Sequence, residues 1–193
     1  MELCVCAHIQ AQKTGLHVLI LQHPQEPDHE MGSALLTHLA LPNSTLKVGL
    51  SWRNLAAALG RKEADPSRWA VLYLGSGVKT ESALEKGLYF VSQKGLPVAQ
   101  PESLEGVVVL DGTWSQAKSL WWRNAWLLKL RRAILVPRAP SLYGKLRKEP
   151  RKECLSTIES VAAVLEELGE APEVGQHLSA LFTRLLQQRR MQK

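Results

Sequence analysis

The chain has 193 residues, 45% hydrophobic and 22% charged, with 24 Lys and Arg against 18 Asp and Glu for a net charge of +6. That length suits one domain burying about 70% of its unfolded surface, and the composition excludes a disordered or collagen-like polymer. No apolar run reaches the roughly 20 residues of a membrane span, and the opening Met1-Glu2-Leu3-Cys4 lacks the basic start of a secretory leader, so a cytoplasmic protein with no membrane partner is expected.

In chain order, residues 17–21 read as a buried strand ending at His23-Pro24, and a helix over 33–41 stops before Pro42. Residues 70–74 form a second strand, closed by Gly75-Ser76-Gly77, and residues 106–110 a third, ending at Asp111. A long helix is expected over 115–130, a fourth strand over 133–136, and helices over 155–168 and 174–188. Continuous Val, Leu and Ile runs are strands buried on both faces, so the fold class is α/β, a mostly parallel sheet covered by helices in a single domain over 1–193. The Pro-rich stretch 136–141 joins two core elements as an ordered loop. Residues 187–193 form a basic tail expected to fray, and monomers are favoured.

The positive charge is concentrated. Residues 129–152 hold nine cations, Lys129, Arg131, Arg132, Arg138, Lys145, Arg147, Lys148, Arg151 and Lys152, against Glu149 alone. That window carries +8 and leaves −2 for the rest of the chain, which points to a localised polyanion partner, most often nucleic acid. In the preceding helix Trp121 shares a face with Ala117, Ala125 and Leu128 and is expected in the core. Lys118, Trp122 and Trp126 recur every four residues as a neighbouring stripe, which suits either buried packing, the favoured outcome, or stacking of unpaired bases.

Three cysteines without a leader fit a reducing compartment. Cys4 and Cys6 offer two thiolates to a metal, but no second pair completes a four-ligand zinc site, so residues 1–12 are at most an incomplete Cys-rich element. Ligands of open parallel sheets bind beyond the carboxyl ends of the strands, which here are Leu74-Gly75-Ser76-Gly77 and Leu110-Asp111-Gly112-Thr113-Trp114. Asp111 at that mouth suits a hydrogen bond from a ligand ammonium or hydroxyl, or acceptance of a proton. Thr113 or Ser115 suits capping of the helix that follows, and Trp114 suits either core or a pocket wall. Ser156 and Glu159 match a capping box, and the same helix start offers N–H groups to an anion.

Leu110-Asp111-Gly112-Thr113-Trp114 resembles the D-x-T-W signature of the DTW-domain family. Four further blocks resemble that family in order: residues 18–26, 41–44, 143–151 and 154–159, so the likeness covers about Cys4 to Gln188. It implies a tRNA-uridine aminocarboxypropyltransferase of SPOUT-like fold with a trefoil knot. Such an enzyme moves the 3-amino-3-carboxypropyl group of S-adenosylmethionine to N3 of a tRNA uridine and releases methylthioadenosine. Carried onto this sequence, Asp111, Thr113 and Trp114 would be catalytic, with Asp111 also touching the co-substrate. Leu74, Gly75, Ser76, Leu155, Ser156, Thr157 and Glu159 would hold S-adenosylmethionine, while Lys145, Arg147, Lys148, Arg151 and Lys152 would meet tRNA phosphates. Family members often carry a C-x-x-C pair ahead of C-x-C, a zinc arrangement of which this chain has Cys4 and Cys6. Residues 27–32 lack a basic residue usual in the family. The alternatives are a SPOUT-type S-adenosylmethionine-dependent RNA methyltransferase and a non-catalytic RNA-binding protein.

Overall fold

The computed structural model describes residues 4–27, 32–72, 87–143 and 155–191. Its centre is a seven-stranded sheet of β1 (His17–Gln22), β2 (Ser44–Val48), β3 (Trp69–Leu72), β4 (Gly87–Val91), β5 (Pro97–Val98), β6 (Gly106–Asp111) and β7 (Arg131–Val136). The strand order is β2-β1-β6-β3-β7-β4-β5, with β2, β1, β6, β3 and β7 parallel and β4 antiparallel to both β7 and β5. The expected α/β class and mostly parallel sheet are therefore present.

All six residues of both β1 and β6 are buried. Alternate side chains of these strands enter two separate cores, because successive residues point to opposite faces. Val18, Ile20, Val107 and Val109 pack beneath α1 (Ser33–Ala40), α4 (Thr157–Glu167) and α5 (Pro172–Met191). Leu19, Leu21, Val108 and Leu110 pack on the other face with α2 (Leu55–Leu59) and α3 (Trp114–Arg123). No helix of the described residues is long and apolar enough to cross a membrane.

The helix expected over 115–130 is instead α3, ending at Arg123, and a separate 3-10 helix over Ala125–Lys129. The break is at Asn124, a fully buried residue whose side-chain amide donates to the carbonyl of Leu120 at 2.8 Å. That carbonyl is the acceptor the next helical N–H would have used, so the side chain takes the place of the backbone bond. The stripe of Lys118, Trp122 and Trp126 is split by the same break. Trp126 is buried, whereas Trp122 is 78% exposed, against the packing expected for it. Trp121, expected in the core, is half-buried beneath the guanidinium of Arg132, 5.6 Å from its ring centre.

α5 continues to Met191, so residues 187–191 are helical rather than frayed, anchored by buried Leu185 and Leu186 one turn earlier. β2, β4, β5 and the short α2 had no counterpart in the sequence reading. The outer strands are only partly buried or exposed, so they lack the unbroken apolar runs that betray a central strand.

Candidate functional site

The site is built where β1 and β6 end together. Their parallel register places Gln22 beside Asp111, and both lie on the face that α4 covers. Gln22 Nε2 donates to Asp111 Oδ2 at 2.8 Å, and the hydroxyl of Thr157, the first residue of α4, donates to Oδ1. One carboxylate thus joins two strand ends and a helix start. Asp111 is 8% exposed. An ionised carboxylate has about four acceptor positions, so these two donors orient the group without exhausting it.

Two helix starts meet this edge of the sheet. Thr113 caps α3, donating its N–H to Gln116 Oε1 at 2.5 Å while its hydroxyl oxygen accepts from Gln116 N at 3.4 Å. Gly112 makes the turn between Asp111 and that cap with φ +152°, a conformation side-chain-bearing residues avoid. A Cβ there would lie 2.9 Å from Gln116 Cβ. Gln116 also reaches across to Gln25 Oε1 at 3.2 Å, tying α3 to the segment after β1. Trp114, the first residue of α3, is half-buried.

Ser156 caps α4, and Glu159 completes the box. Glu159 accepts from Ser156 N at 2.8 Å, from the Ser156 hydroxyl at 2.6 Å, from the Ser141 hydroxyl at 2.9 Å and from Leu142 N at 2.6 Å. Its carboxylate is filled by the protein, and it clamps the 141–142 loop onto α4. The helix dipoles of α3 and α4 place positive potential on either side of Asp111. The arrangement therefore offers one oriented acceptor for an ammonium or an acidic N–H, beside helix starts suited to a carboxylate.

Of the expected site residues, the structure brings together Asp111, Thr113, Trp114, Ser156 and Thr157, with Glu159 directly behind and half-buried Leu155 leading into α4. Leu74, Gly75, Ser76, Lys145, Arg147, Lys148, Arg151 and Lys152 lie outside the described residues. Gln22 was not among the expected residues. Its signal was present, however, as a polar residue closing an apolar strand at the same level as Asp111 closes its own.

Cys4 and Cys6 are free and exposed. A hydrogen bond between them lowers the Cys4 thiol below its ordinary range and raises that of Cys6. Among the described residues no group of three or more His, Cys, Asp or Glu could hold a metal ion. The two thiols alone thus fall short of a zinc donor set. A cleft lined by Phe90, Val91, Ser92 and Arg132 sits at the amino end of β7, the edge opposite Asp111.

Residues 1–190 match the DTW domain. The chain is 26% identical over 166 residues to tRNA-uridine aminocarboxypropyltransferase 2 of Macaca fascicularis, covering 85% of this chain and 52% of that protein. It is 25% identical over 170 residues to the protein of the same name from Mus musculus, covering 85% and 52%. With the Drosophila melanogaster protein of that name it shares 29% identity over 164 residues, 83% of this chain and 59% of that one. The chain thus spans between half and three-fifths of the length of these relatives. No solved structure matches it significantly. With its D-x-T-W corner placed at the carboxyl edge of a parallel sheet and nearly its whole length matched, the chain belongs to the DTW-domain family.

Proposed function

We propose that this protein transfers the 3-amino-3-carboxypropyl group of S-adenosylmethionine to N3 of a tRNA uridine. The observation that carries the reading is the carboxylate of Asp111, held by Gln22 and Thr157 between two capped helix starts. The names of the three relatives support the substrate and the group transferred. S-adenosylmethionine supplies an activated carbon: the N3–C bond forms, the C–S bond breaks, and its electron pair leaves on sulfur as methylthioadenosine. The donor set fits the methionine end of that molecule, since Asp111 suits its ammonium and a helix start suits its carboxylate.

The chain's own task is then orientation and proton handling. Gripping the amino acid end selects the carbon to be transferred over the methyl, and holding uridine beside it supplies proximity. Asp111 accepts the N3 proton or fixes the ammonium. Thr157 keeps that carboxylate aimed, Ser156 and Glu159 keep α4 in place, and Trp114 walls the pocket. Leu74, Gly75, Ser76 and Leu155 are assigned to adenosine contacts. Lys145, Arg147, Lys148, Arg151 and Lys152 are assigned to tRNA phosphates, in the segment that joins β7 to α4.

The proposal includes a SPOUT-like, knotted threading of this single domain. Supporting it, β3 lies between β7 and β6 in the sheet, yet the first turn of α4, the next described element after residue 143, bonds Asp111 at the end of β6.

The test is mass spectrometry of nucleosides from tRNA incubated with the protein and S-adenosylmethionine labelled in either its carboxyl carbon or its methyl carbon. Carboxyl label on uridine, with methylthioadenosine released, is expected. Methyl label in RNA would replace this reading with a SPOUT-type methyltransferase. Binding of tRNA with no label transferred would leave an RNA-binding protein.

A further inference from the structure

α3 exposes a surface that folding does not explain. Its buried side is Ala117 and Leu120, and the opposite side presents Ser115, Lys118, Ser119, Trp122 and Arg123. Trp122 lies in the last turn and is 78% exposed, so its indole adds almost nothing to the core. Its two neighbours in the helical region are each used internally. Trp121 lies under Arg132, and Trp126 donates its indole N–H to Asn124 Oδ1 at 3.2 Å.

The surroundings of Trp122 are cationic. Lys118 precedes it by one turn, and Arg123 follows it. Exposed Arg53 lies on the 49–54 strap, which is held to the end of α3 by three bonds. Asn124 Nδ2 donates to Leu50 O at 3.0 Å, Trp52 N to Asn124 Oδ1 at 2.8 Å, and the Ser51 hydroxyl to Arg123 O at 3.2 Å. Residues 112–148 contain no Asp or Glu at all. A protein interface is depleted of charge at its centre, whereas a single-stranded nucleic acid is held by cations beside an aromatic on which a base stacks.

We propose that this face of α3 is a second RNA contact, in which Trp122 stacks an unpaired base flanking the target uridine while Lys118 and Arg123 meet phosphates. The inference rests on the tRNA reading above. The helix supplies the geometry: it starts at the Asp111 edge, and from Ser115 to Trp122 its axis advances about 10 Å, the span of a few nucleotides. RNA leaving the site along α3 passes Lys118 before reaching Trp122. This contact uses none of the residues of the basic segment 145–152, and the exposed tryptophan makes it tolerant of base identity.

The experiment is fluorescence anisotropy with end-labelled unmodified tRNA and the full chain, for wild type, Trp122→Ala, Trp122→Tyr and Lys118→Ala. Trp122→Ala weakens binding by about tenfold, Trp122→Tyr recovers most of the loss, and Lys118→Ala flattens the dependence of log K on log salt by about 0.7 to 0.9. Matching unfolding temperatures confirm intact folds, and ultraviolet crosslinking places RNA on the peptide containing Trp122. An unchanged affinity for Trp122→Ala overturns the proposal. So does a wild-type dimer that Trp122→Ala converts to monomer without altering tRNA affinity, since that makes the face a protein interface. Trp122-dependent tRNA binding with no aminocarboxypropyl uridine formed overturns the function reading alone.

Discussion

Gln22 and Asp111 are register partners at the ends of neighbouring parallel strands, and the amide of one donates to the carboxylate of the other at 2.8 Å. Because both strands are wholly buried, their register is fixed by the core, and a slip of one residue in either strand would turn its own side chain to the opposite face and break the pair. The position of the Asp111 carboxylate is thus inherited from the packing of Val18, Ile20, Val107 and Val109.

Asp111→Asn is isosteric but removes the charge and presents an amide to one of two existing donors. Product formation falls by a factor of about 100 or more, the scale of a lost proton acceptor, while stability changes by about 1 kcal/mol. Thr157→Val lowers turnover less, and Thr157→Ser restores it. Nucleoside mass spectrometry and thermal unfolding on the same samples check this. Wild-type turnover by Asp111→Asn would remove Asp111 from the mechanism.

Gly112→Ala introduces a Cβ 2.9 Å from Gln116 Cβ, at a φ of +152° that alanine rarely adopts. The turn relaxes only by moving Gln116, which breaks the cap of α3. A loss of about 1–3 kcal/mol is expected from strain and capping together, with lowered turnover because α3 starts at the site. Denaturant titration reads the first effect, and a stability equal to wild type would refute the conformational argument.

Asn124→Ala removes four hydrogen bonds from a fully buried position: two donated, to Leu50 O and Leu120 O, and two accepted, from Trp52 N and Trp126 Nε1. Those partners are left with unmet polar groups, at a cost of about 2–4 kcal/mol. The unfolding temperature drops by about 2–4 °C for each kcal/mol lost. Calorimetry showing no drop would mean that water or a rearranged strap replaces the amide.

His17 is buried at the start of β1, with Nδ1 2.8 Å from Asn43 Oδ1 and Nε2 2.9 Å from Thr45 Oγ1. Burial holds its pKa below the ordinary histidine value, opposed by the Asn43 bond and assisted by Arg61. His177 is lowered by burial as well, and its Nε2 accepts from Gln10 N at 3.2 Å, which requires an unprotonated nitrogen. A depressed folded pKa means that the unfolded chain binds more protons. The stabilisation is therefore complete above about pH 6.5 and is lost as pH falls towards the folded value. Unfolding free energy measured between pH 7.5 and 5 declines, and His17→Gln reduces the slope while His177 retains part of it. An unaltered slope in that variant would show that His17 does not titrate differently on folding.

Much of the site was legible because its chemistry is local. Asp111 closes an unmistakable strand, Ser156 with Glu159 reads as a capping box, and Thr113 is one of two caps the sequence offers, the one the structure completes with Gln116. Gln22 was not legible as a partner of Asp111, since 89 residues separate them and only the pairing of β1 with β6 makes them neighbours. The role of Glu159 also needed the fold, because two of its donors, Ser141 and Leu142, come from a distant loop.

The sequence by itself determined the parallel buried core, through its unbroken apolar runs, and the family, through the resemblance of its ordered motif blocks. Tertiary structure alone decided which residues meet and which tryptophan faces solvent. Trp122 and Trp126 share a four-residue spacing that a continuous helix would turn to one side. A buried Asn124 ends the helix between them, sends Trp126 into the core and leaves Trp122 outside among cations. The +8 segment reads as a polyanion surface from charge alone, but the exposed aromatic beside Lys118 and Arg123 follows from which side of α3 packs on the sheet, that of Ala117 and Leu120.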